Sequence, residues 1–463
     1  METQAWDRTV AAISTPYGKG GIAVIRISGA EAVRVADRMF RLSGGRTLGG
    51  TESNRAVYGE ILSEGEVIDT GIATVFRAPH SYTGEDTVEI SCHGGILLQR
   101  TVLSAALLCG ASPAGPGEFS KRAFLNGKLR LSQAEAVMEL IEAESVEKLR
   151  LTSAQARGAL SGRLDRLSAD LKRLIASTYA FIDYPDEDLT DVSVPELIRA
   201  LDGLRGETAA LLRTYRCGKA VCEGLKTVIA GKPNTGKSSF LNLLLGEERA
   251  IVTDIAGTTR DTIEETATLG GVLLRLCDTA GIRETDDAVE RAGVARACDK
   301  LESADLVLAL FDGAREADGD DLAFLERLRR LKEKGTEIFV LINKADLPAR
   351  IDRGLFAEFS PVLSVSARGG DTAELQRCVE ERFLSGQLSY DGTAILTNAR
   401  QYAALSQADE ALCRALDALK GGMTQDVAGL DMELALSRLA ETDGRETAAD
   451  ITDEIFSHFC VGK

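Results

Sequence analysis

The stretch Gly231-Lys232-Pro233-Asn234-Thr235-Gly236-Lys237-Ser238 decides the fold of the chain around it. It fits the phosphate-binding pattern G-x-x-x-x-G-K-[ST] at every fixed position. Leu225 to Ala230 (LKTVIA) ahead of it reads as a short buried strand, and Ser239 to Leu245 (SFLNLLL) behind it as the first turns of a helix. In a strand–loop–helix setting, backbone N–H groups turn inward around phosphates and the helix N-terminus adds its dipole. Lys237 is placed to reach the β- and γ-phosphates. The Ser238 hydroxyl is placed to ligate Mg²⁺.

Further signals follow in the order a nucleotide site needs. Asp278-Thr279-Ala280-Gly281 comes after the apolar run Val272 to Cys277. A strand-ending Asp there holds the metal shell, and Gly281 brings a backbone N–H to the γ-phosphate. Gly257-Thr258-Thr259-Arg260-Asp261 sits where a switch loop closes over the metal, which assigns Thr259 to Mg²⁺. Asn343-Lys344-Ala345-Asp346 follows a strand ending at Ile342. The Asp346 carboxylate accepts from the N1–H and exocyclic amine of guanine, two donors that adenine lacks. Ser366-Ala367-Arg368 supports the base from the far side. The expected nucleotide set is thus Asn234 to Ser239 (with Thr235, Gly236, Lys237 and Ser238 between), Thr253, Asp254, Ile255, Ala256, Gly257, Thr258 and Thr259, then Asp278, Thr279, Ala280 and Gly281, and the two base-binding groups. Together they predict GTP binding and hydrolysis. Ile282 stands where Ras-like enzymes carry a water-positioning Gln, so hydrolysis recruits its groups elsewhere. Glu290, a bound cation, Arg260 and Arg283 are the candidates, and the side-chain oxygen of Asn234 suits a monovalent cation.

At 463 residues the chain is expected to hold two to four domains. A net charge of −17 and a pI near 4.9 give no broad basic field for nucleic acid. If RNA is a substrate, a local patch or a partner must hold it. No apolar run is long enough to span a bilayer, and METQAWDRTV lacks a basic n-region with an apolar core, so a cytoplasmic protein is expected. Nine scattered cysteines read as reduced thiols.

The fold class expected is multidomain, α/β plus all-α. Residues 1–127 hold short β-branched runs at Thr9 to Ile13, Gly21 to Ile27, Val57 to Leu62, Gly71 to Phe76 and Thr87 to Cys92, then a helix from Gly94 to Cys109. Residues 128–222 turn helical, with Leu160, Leu164, Leu167, Leu171, Leu174 and Ile175 as one stripe and Leu197, Ile198, Leu201 and Leu204 as another. The acidic loop Asp183 to Asp188 reads as a solvated turn. Residues 223–387 form a Ras-like P-loop domain with parallel strands at Leu306 to Phe311 and Ile338 to Ile342. Residues 388–463 return to helical spacing, with Leu430, Leu434 and Leu439 as a stripe. The simplest arrangement is one helical domain with the α/β nucleotide domain inserted in it.

Gly20-Gly21 to Arg26-Ile27-Ser28-Gly29, Ser81-Tyr82-Thr83-Gly84-Glu85-Asp86, Cys92-His93-Gly94-Gly95, Pro116 to Lys128 and the terminal Phe459-Cys460-Val461-Gly462-Lys463 add a further pattern. With the nucleotide motifs, they make the full length of the chain resemble the MnmE (TrmE) family of tRNA-modification GTPases. The departures are small: Val461 where Ile is usual, and Thr235 where Ala is common.

The resemblance implies an N-terminal domain that binds 5-formyl-tetrahydrofolate and forms the homodimer. It implies a flavoprotein partner, MnmG, that holds most of the tRNA, and joint addition of an aminomethyl or carboxymethylaminomethyl group to the wobble uridine. It also implies potassium in place of an arginine finger, and GTP hydrolysis that opens and closes paired GTPase domains. By motif position, Arg26, Glu89, Lys128 and Lys463 would hold the folate, and Asn234, Thr253, Ile255 and Thr258 the potassium. Glu290 would act through water and Cys460 would be the functional terminal cysteine. A second reading, an Era-like ribosome-assembly GTPase, shares the nucleotide motifs. It would call for a basic RNA-binding domain, and no KH-type Gly-x-x-Gly loop stands on a basic segment here.

Overall fold

The computed structural model describes residues 8–183, 193–247, 265–276, 301–384, 394–445 and 449–463. By contact, the chain forms two compact units, residues 1–138 with 443–463 and residues 139–442.

The first unit is built on seven strands: β1 (Val10–Ile13), β2 (Ile22–Ser28), β3 (Phe40–Leu42), β4 (Arg55–Ser63), β5 (Glu66–Phe76), β6 (Thr87–His93) and β7 (Ser112–Pro113). Their order is β3-β4-β5-β6-β2-β1-β7, antiparallel except for the parallel β1–β7 pair. Alternation sends Ile25, Ile27, Ile61, Val75 and Ile90 into one core. Helices α1 (Ala32–Met39) and α2 (Ile96–Leu108) add Val35, Met39 and Val102 to that same core. On the opposite parity Tyr58 and Ile72, paired across β4–β5, stay 66% and 45% exposed. The Pro116–Lys128 stretch forms a turn, α3 (Glu118–Leu125) and a glycine end at Gly127. Then α4 (Leu131–Ile141) begins.

The last helix, Ala449–Ser457, belongs to this unit and not to the helical segments with which its periodicity groups it. Phe456 and Phe459 bury against Leu131 and Ala134, with Phe124 packed on them. Gly117 makes the close approach possible. Its backbone is left-handed (φ +59), and a Cβ there would lie 2.6 Å from the Phe456 carbonyl oxygen.

The second unit joins a helical bundle to a nucleotide-type sheet. Its helices are α5 (Val146–Ala156), α6 (Ala159–Asp183) and α7 (Val194–Cys222). Leu160, Leu164, Leu167, Leu171, Leu197, Leu201 and Leu204 are buried together, as their spacing requires. Six strands follow: β8 (Leu225–Gly231), β9 (Glu265–Leu269), β10 (Val272–Leu276), β11 (Leu306–Asp312), β12 (Glu337–Asn343) and β13 (Val362–Ser364). They run in the order β13-β12-β11-β8-β10-β9, parallel except for the β9–β10 hairpin. Leu306 to Phe311 are all buried, the pattern of a strand covered on both faces. Helices α8 (Lys237–Glu247), α9 (Gly319–Glu333) and α10 (Ala373–Phe383) belong to this sheet, and α11 (Ala399–Lys420) and α12 (Gln425–Thr442) to the bundle. Ion pairs Lys219–Asp305 (2.7 Å) and Arg216–Glu337 hold the end of α7 to the strand starts.

One stripe needs correction. On α12, Leu439 is buried, but Leu430 is 68% and Leu434 39% exposed. The buried line is Ala428, Gly429, Met432, Ala435 and Leu439. Small residues let α12 approach α6 closely: a Cβ on Gly429 would lie 3.3 Å from the Tyr179 hydroxyl. Alanine and glycine carry little hydropathy, so the larger leucines imitate a core face.

Candidate functional site

The nucleotide site is built where β8 turns into α8. Gly231 (φ +157) and Gly236 (φ +97) shape the loop. Asn234 joins them at φ +64, a left-handed backbone that few residues other than glycine take as readily as asparagine. Lys237 is buried, and its ammonium donates to the carbonyls of Gly231 (2.8 Å) and Lys232 (2.7 Å). Burial pushes that ammonium below the ordinary lysine value. An anion at the loop would relieve it. Ser238, Ser239 and Asn234 are exposed.

Asn343 is 2% exposed and acts as a brace. Its amide donates to the Thr235 carbonyl (2.7 Å), and its oxygen accepts from the Ala367 N–H (3.0 Å). It joins the phosphate loop to the Ser366–Arg368 loop, and a Cβ on Gly236 would sit 2.3 Å from its amide nitrogen. Asp346 is exposed and accepts a hydrogen bond from the Ser366 hydroxyl (2.8 Å). That bond, and then its own backbone N–H, hold the carboxyl below its usual value. It therefore stays ionised and keeps acceptor capacity for two ring donors. The Ala345 N–H donates to the Val365 carbonyl (3.1 Å), which sets the Asn343–Asp346 and Ser366–Arg368 loops side by side.

Thr253, Asp254, Ile255, Ala256, Gly257, Thr258, Thr259, Asp278, Thr279, Ala280, Gly281 and Glu290 lie outside the described residues, as do Arg260, Ile282 and Arg283. The β9–β10 hairpin between these two segments is described. The donor set suits Mg²⁺: an exposed Ser238 hydroxyl in the first turn of α8, beside a lysine that neutralises phosphate. Among the described residues no cluster of His, Cys, Asp or Glu could hold a metal by itself.

The second site lies in the first unit. Arg26 on β2 stands directly across from Glu89 on β6 and donates to it (2.9 Å). Its guanidinium lies 5.2 Å from the centre of the Tyr82 ring and 5.3 Å from that of Phe119. The chain's tail closes over this group. The Phe119 N–H donates to the Lys463 carbonyl (3.1 Å), the Gly117 N–H to that of Cys460 (3.3 Å) and the Ser14 hydroxyl to that of Gly462 (2.9 Å). Burial first, and then the charge of Arg26, push the Lys463 ammonium below its ordinary value. Two cations beside two aromatic rings form a site suited to a flat molecule bearing carboxylates. Lys128 donates to the Pro79 carbonyl (2.9 Å), and no contact recorded among the described residues joins it to Arg26, Glu89 or Lys463.

Cys460 is exposed, whereas Cys92, Cys217 and Cys222 are buried. Burial pushes the Cys92 and Cys217 thiols up to about 11. Among the described cysteines Cys109, Cys378 and Cys413 are half-buried, so full burial holds at three positions only, and the exposed tail cysteine is set apart.

Tyr82, Phe119 and Ser14 are part of the second site, yet residue type alone gave them no role. Tyr82 lies in the Ser81–Asp86 turn and Phe119 at the start of α3, and an aromatic among polar neighbours is the available signal. Beneath them Arg122, with 1% of its side chain exposed, pairs with Glu85 (2.9 Å) and Glu118 (2.8 Å). This buried network joins the Ser81–Asp86 turn to α3 and so sets both rings.

Two family models match the chain, "GTP-binding protein TrmE N-terminus" over residues 9–128 and "MnmE helical domain" over residues 131–460. Proteins described as tRNA modification GTPase MnmE are similar over nearly the full length. That of Bacillus velezensis is 41% identical, covering 98% of this chain and 100% of the relative. That of Geobacillus kaustophilus is 43% identical, covering 98% and 99%. That of Bacillus subtilis is 40% identical, covering 98% and 100%. A solved structure of Aquifex aeolicus Era bound to GDP·AlF4⁻ aligns at 27% identity over 40% of this chain and 66% of that one. Its TM-score of 0.28 is too low to carry an argument for the second reading. With a matching family model over most of its length and relatives at about 40% identity end to end, the chain belongs to the MnmE family of tRNA modification GTPases.

Proposed function

We propose that the β8–α8 loop binds and hydrolyses GTP with Mg²⁺ held by Ser238 and Thr259, and that hydrolysis serves modification of the tRNA wobble uridine together with the flavoprotein MnmG. The observation that carries the reading is the loop itself: a buried Lys237 waiting on backbone carbonyls, braced by Asn343 to an ionised Asp346. Lys237 would transfer its ammonium from these carbonyls to the phosphates, and Asp346 would read the guanine edge. Glu290 would act through water. Asn234, Thr253, Ile255 and Thr258 would hold potassium, which supplies fixed positive charge beside the phosphates where charge develops. The exposed Asn234, held in a left-handed turn, supports its part in this.

The same reading assigns Arg26, Glu89, Lys128 and Lys463 to 5-formyl-tetrahydrofolate, with Tyr82 and Phe119 as flat walls, and Cys460 to the modification chemistry. The expected functional domains are residues 1–127 for folate and the homodimer, 223–387 for GTP, and 128–222 with 388–463 for the helical part, except that the tail from 443 packs with the first unit. The uncovered sheet face at Tyr58 and Ile72 supports homodimer formation through the N-terminal part. An acidic chain leaves most of the tRNA to the partner, and none of the described helices is long and apolar enough to cross a membrane. A cytoplasmic location fits this work.

The test is steady-state GTP hydrolysis in matched potassium and sodium buffers, for the native chain and for Asn234→Ala. Faster hydrolysis in potassium, lost in the variant with GTP still bound, is expected. Equal rates in both buffers return attention to Arg260 and Arg283. Mass analysis of wobble uridines in cells carrying Cys460→Ser should show the modification lost while hydrolysis persists.

A further inference from the structure

We propose that Asp312 is a positioning residue for the base site: acting through Lys344, it holds the lysine's aliphatic stem as one wall of the slot that the purine enters. The inference rests on the guanine reading of the Asn343–Asp346 loop.

Asp312 ends β11 and lies in register with Asn343, which ends β12. Past these two residues both strands leave the sheet, and they do so against each other. The Gly313 N–H donates to the Asn343 carbonyl (2.9 Å), and a Cβ on Gly313 would lie 2.8 Å from the Ile342 side chain and 2.9 Å from that carbonyl oxygen. The turn after β11 is therefore pressed onto the peptide that begins the base-binding loop. Lys344 takes a left-handed backbone (φ +66), which swings its side chain out of the strand direction. The ammonium then ends 2.6 Å from the Asp312 carboxylate, whose side chain is 13% exposed. The other Asp312 oxygen accepts from the Ala314 N–H (3.0 Å). Both carboxylate oxygens are thus engaged within the protein, which argues against a role as a metal ligand.

A lysine pinned at both ends, by its backbone and by its ammonium, has four methylenes left between them. Such a stem covers apolar surface well. Asp346, two residues on and fixed by Ser366, addresses the edge of the base. A stem beside it addresses the face. Edge contacts tell purines apart, whereas a face contact does not. This difference separates the two roles experimentally.

The test uses the full chain and measures dissociation constants for GDP, IDP and XDP, together with KM and kcat for GTP. Asp312→Asn keeps the shape and the acceptor for Ala314 but loses the charge that holds the ammonium. It should weaken all three nucleotides by the same factor, about fivefold, raising KM with kcat unchanged. Lys344→Ala should weaken them at least as much, and adding Asp312→Ala to it should cost less than a further twofold. Thermal unfolding without nucleotide checks the fold. If Asp312→Ala fails to fold, the isosteric Asn variant decides alone. Unchanged affinities in Asp312→Asn, loss confined to one of the bases, or losses that multiply in the double variant would overturn the proposal. Asp346→Asn serves as control. If it leaves the preference for GDP over XDP intact, the guanine reading fails. If it reverses that preference while Asp312→Asn changes nothing, only the role of Asp312 fails.

Discussion

The two candidate sites are made in opposite ways. Among the described residues, the candidate nucleotide site takes its phosphate loop from one contiguous strand–loop–helix, and its expected base-binding part from two short loops that follow strands. The N-terminal site gathers Ser14, Arg26, Tyr82, Glu89, Phe119 and Lys463 from six separate stretches and closes only when the tail arrives. A contiguous site is set mostly by local backbone conformation. A gathered site depends on the packing beneath it, so perturbations far from the ligand should damage it more.

The buried Arg122 network tests that contrast most severely. Arg122→Met takes from Glu118, itself 8% exposed in its side chain, its nearest cation, leaving it the Gly115 N–H (2.7 Å) and the more distant Arg8 (3.5 Å). A loss of about 3–5 kcal/mol in the stability of the first unit is expected. Chemical unfolding of the full chain should show it, with GTP affinity kept under native conditions. A loss below about 1 kcal/mol would mean the network does not support the gathered site.

Asp346→Asn makes the matching cut in the contiguous site. The amide replaces one acceptor by a donor, so GTP affinity should fall by on the order of a hundredfold with xanthosine triphosphate favoured instead. Folate binding should stay as it was. Unchanged GTP affinity would remove Asp346 from the base site.

Gly462→Ala probes closure by the tail. Gly462 has φ +99, and a Cβ would fall 2.1 Å from the Ile13 carbonyl oxygen. The tail must shift, at a cost of about 1–3 kcal/mol, which is about five- to 150-fold in affinity for a formyl-folate. GTP hydrolysis should not change. Undiminished folate binding would show that the tail covers the site without forming it.

The contrast also explains what could be read from the chain. Strands at Leu225, Leu306 and Ile338 were legible to within a residue or two, because a buried parallel strand is a continuous apolar run. The local geometry around Lys237 and Asp346 was legible because their motifs fix it. Tyr82 and Phe119 were not, since a single aromatic in a turn or at the start of a short helix has no spacing that names its partner. Asp312 reads as an ordinary turn acid until β11 and β12 are in register. The α12 face was not legible because its buried line is made largely of small residues, Ala428, Gly429 and Ala435 among them. Periodicity shows that the last helix is amphipathic but not what it packs on, so its place beside Leu131 and Phe124 had to be seen.

The smallest expected effect concerns the two lysines that wait for anions. Both Lys237 and Lys463 have ammonium groups disfavoured by burial. Lys237 has two carbonyls to donate to, whereas Lys463 also faces the like charge of Arg26. For a lysine whose value is lowered by folding, the penalty is present in full below that lowered value. As pH rises from there toward the ordinary lysine range, the native chain sheds the proton while the unfolded chain keeps it, and stability increases. Lys463→Met removes the charge and keeps the stem, so without ligand its melting temperature should exceed that of the native chain by about 1–2 °C near neutral pH. That gain should shrink as pH rises, while affinity for a formyl-folate falls. Lys237→Met should give less relief, since it leaves two carbonyl acceptors unmet in a buried loop. Melting curves of both variants at neutral and alkaline pH decide the point. A Lys463→Met chain less stable than the native one would mean that the tail's lysine secures the fold, and that the gathered site is not held in strain for its ligand.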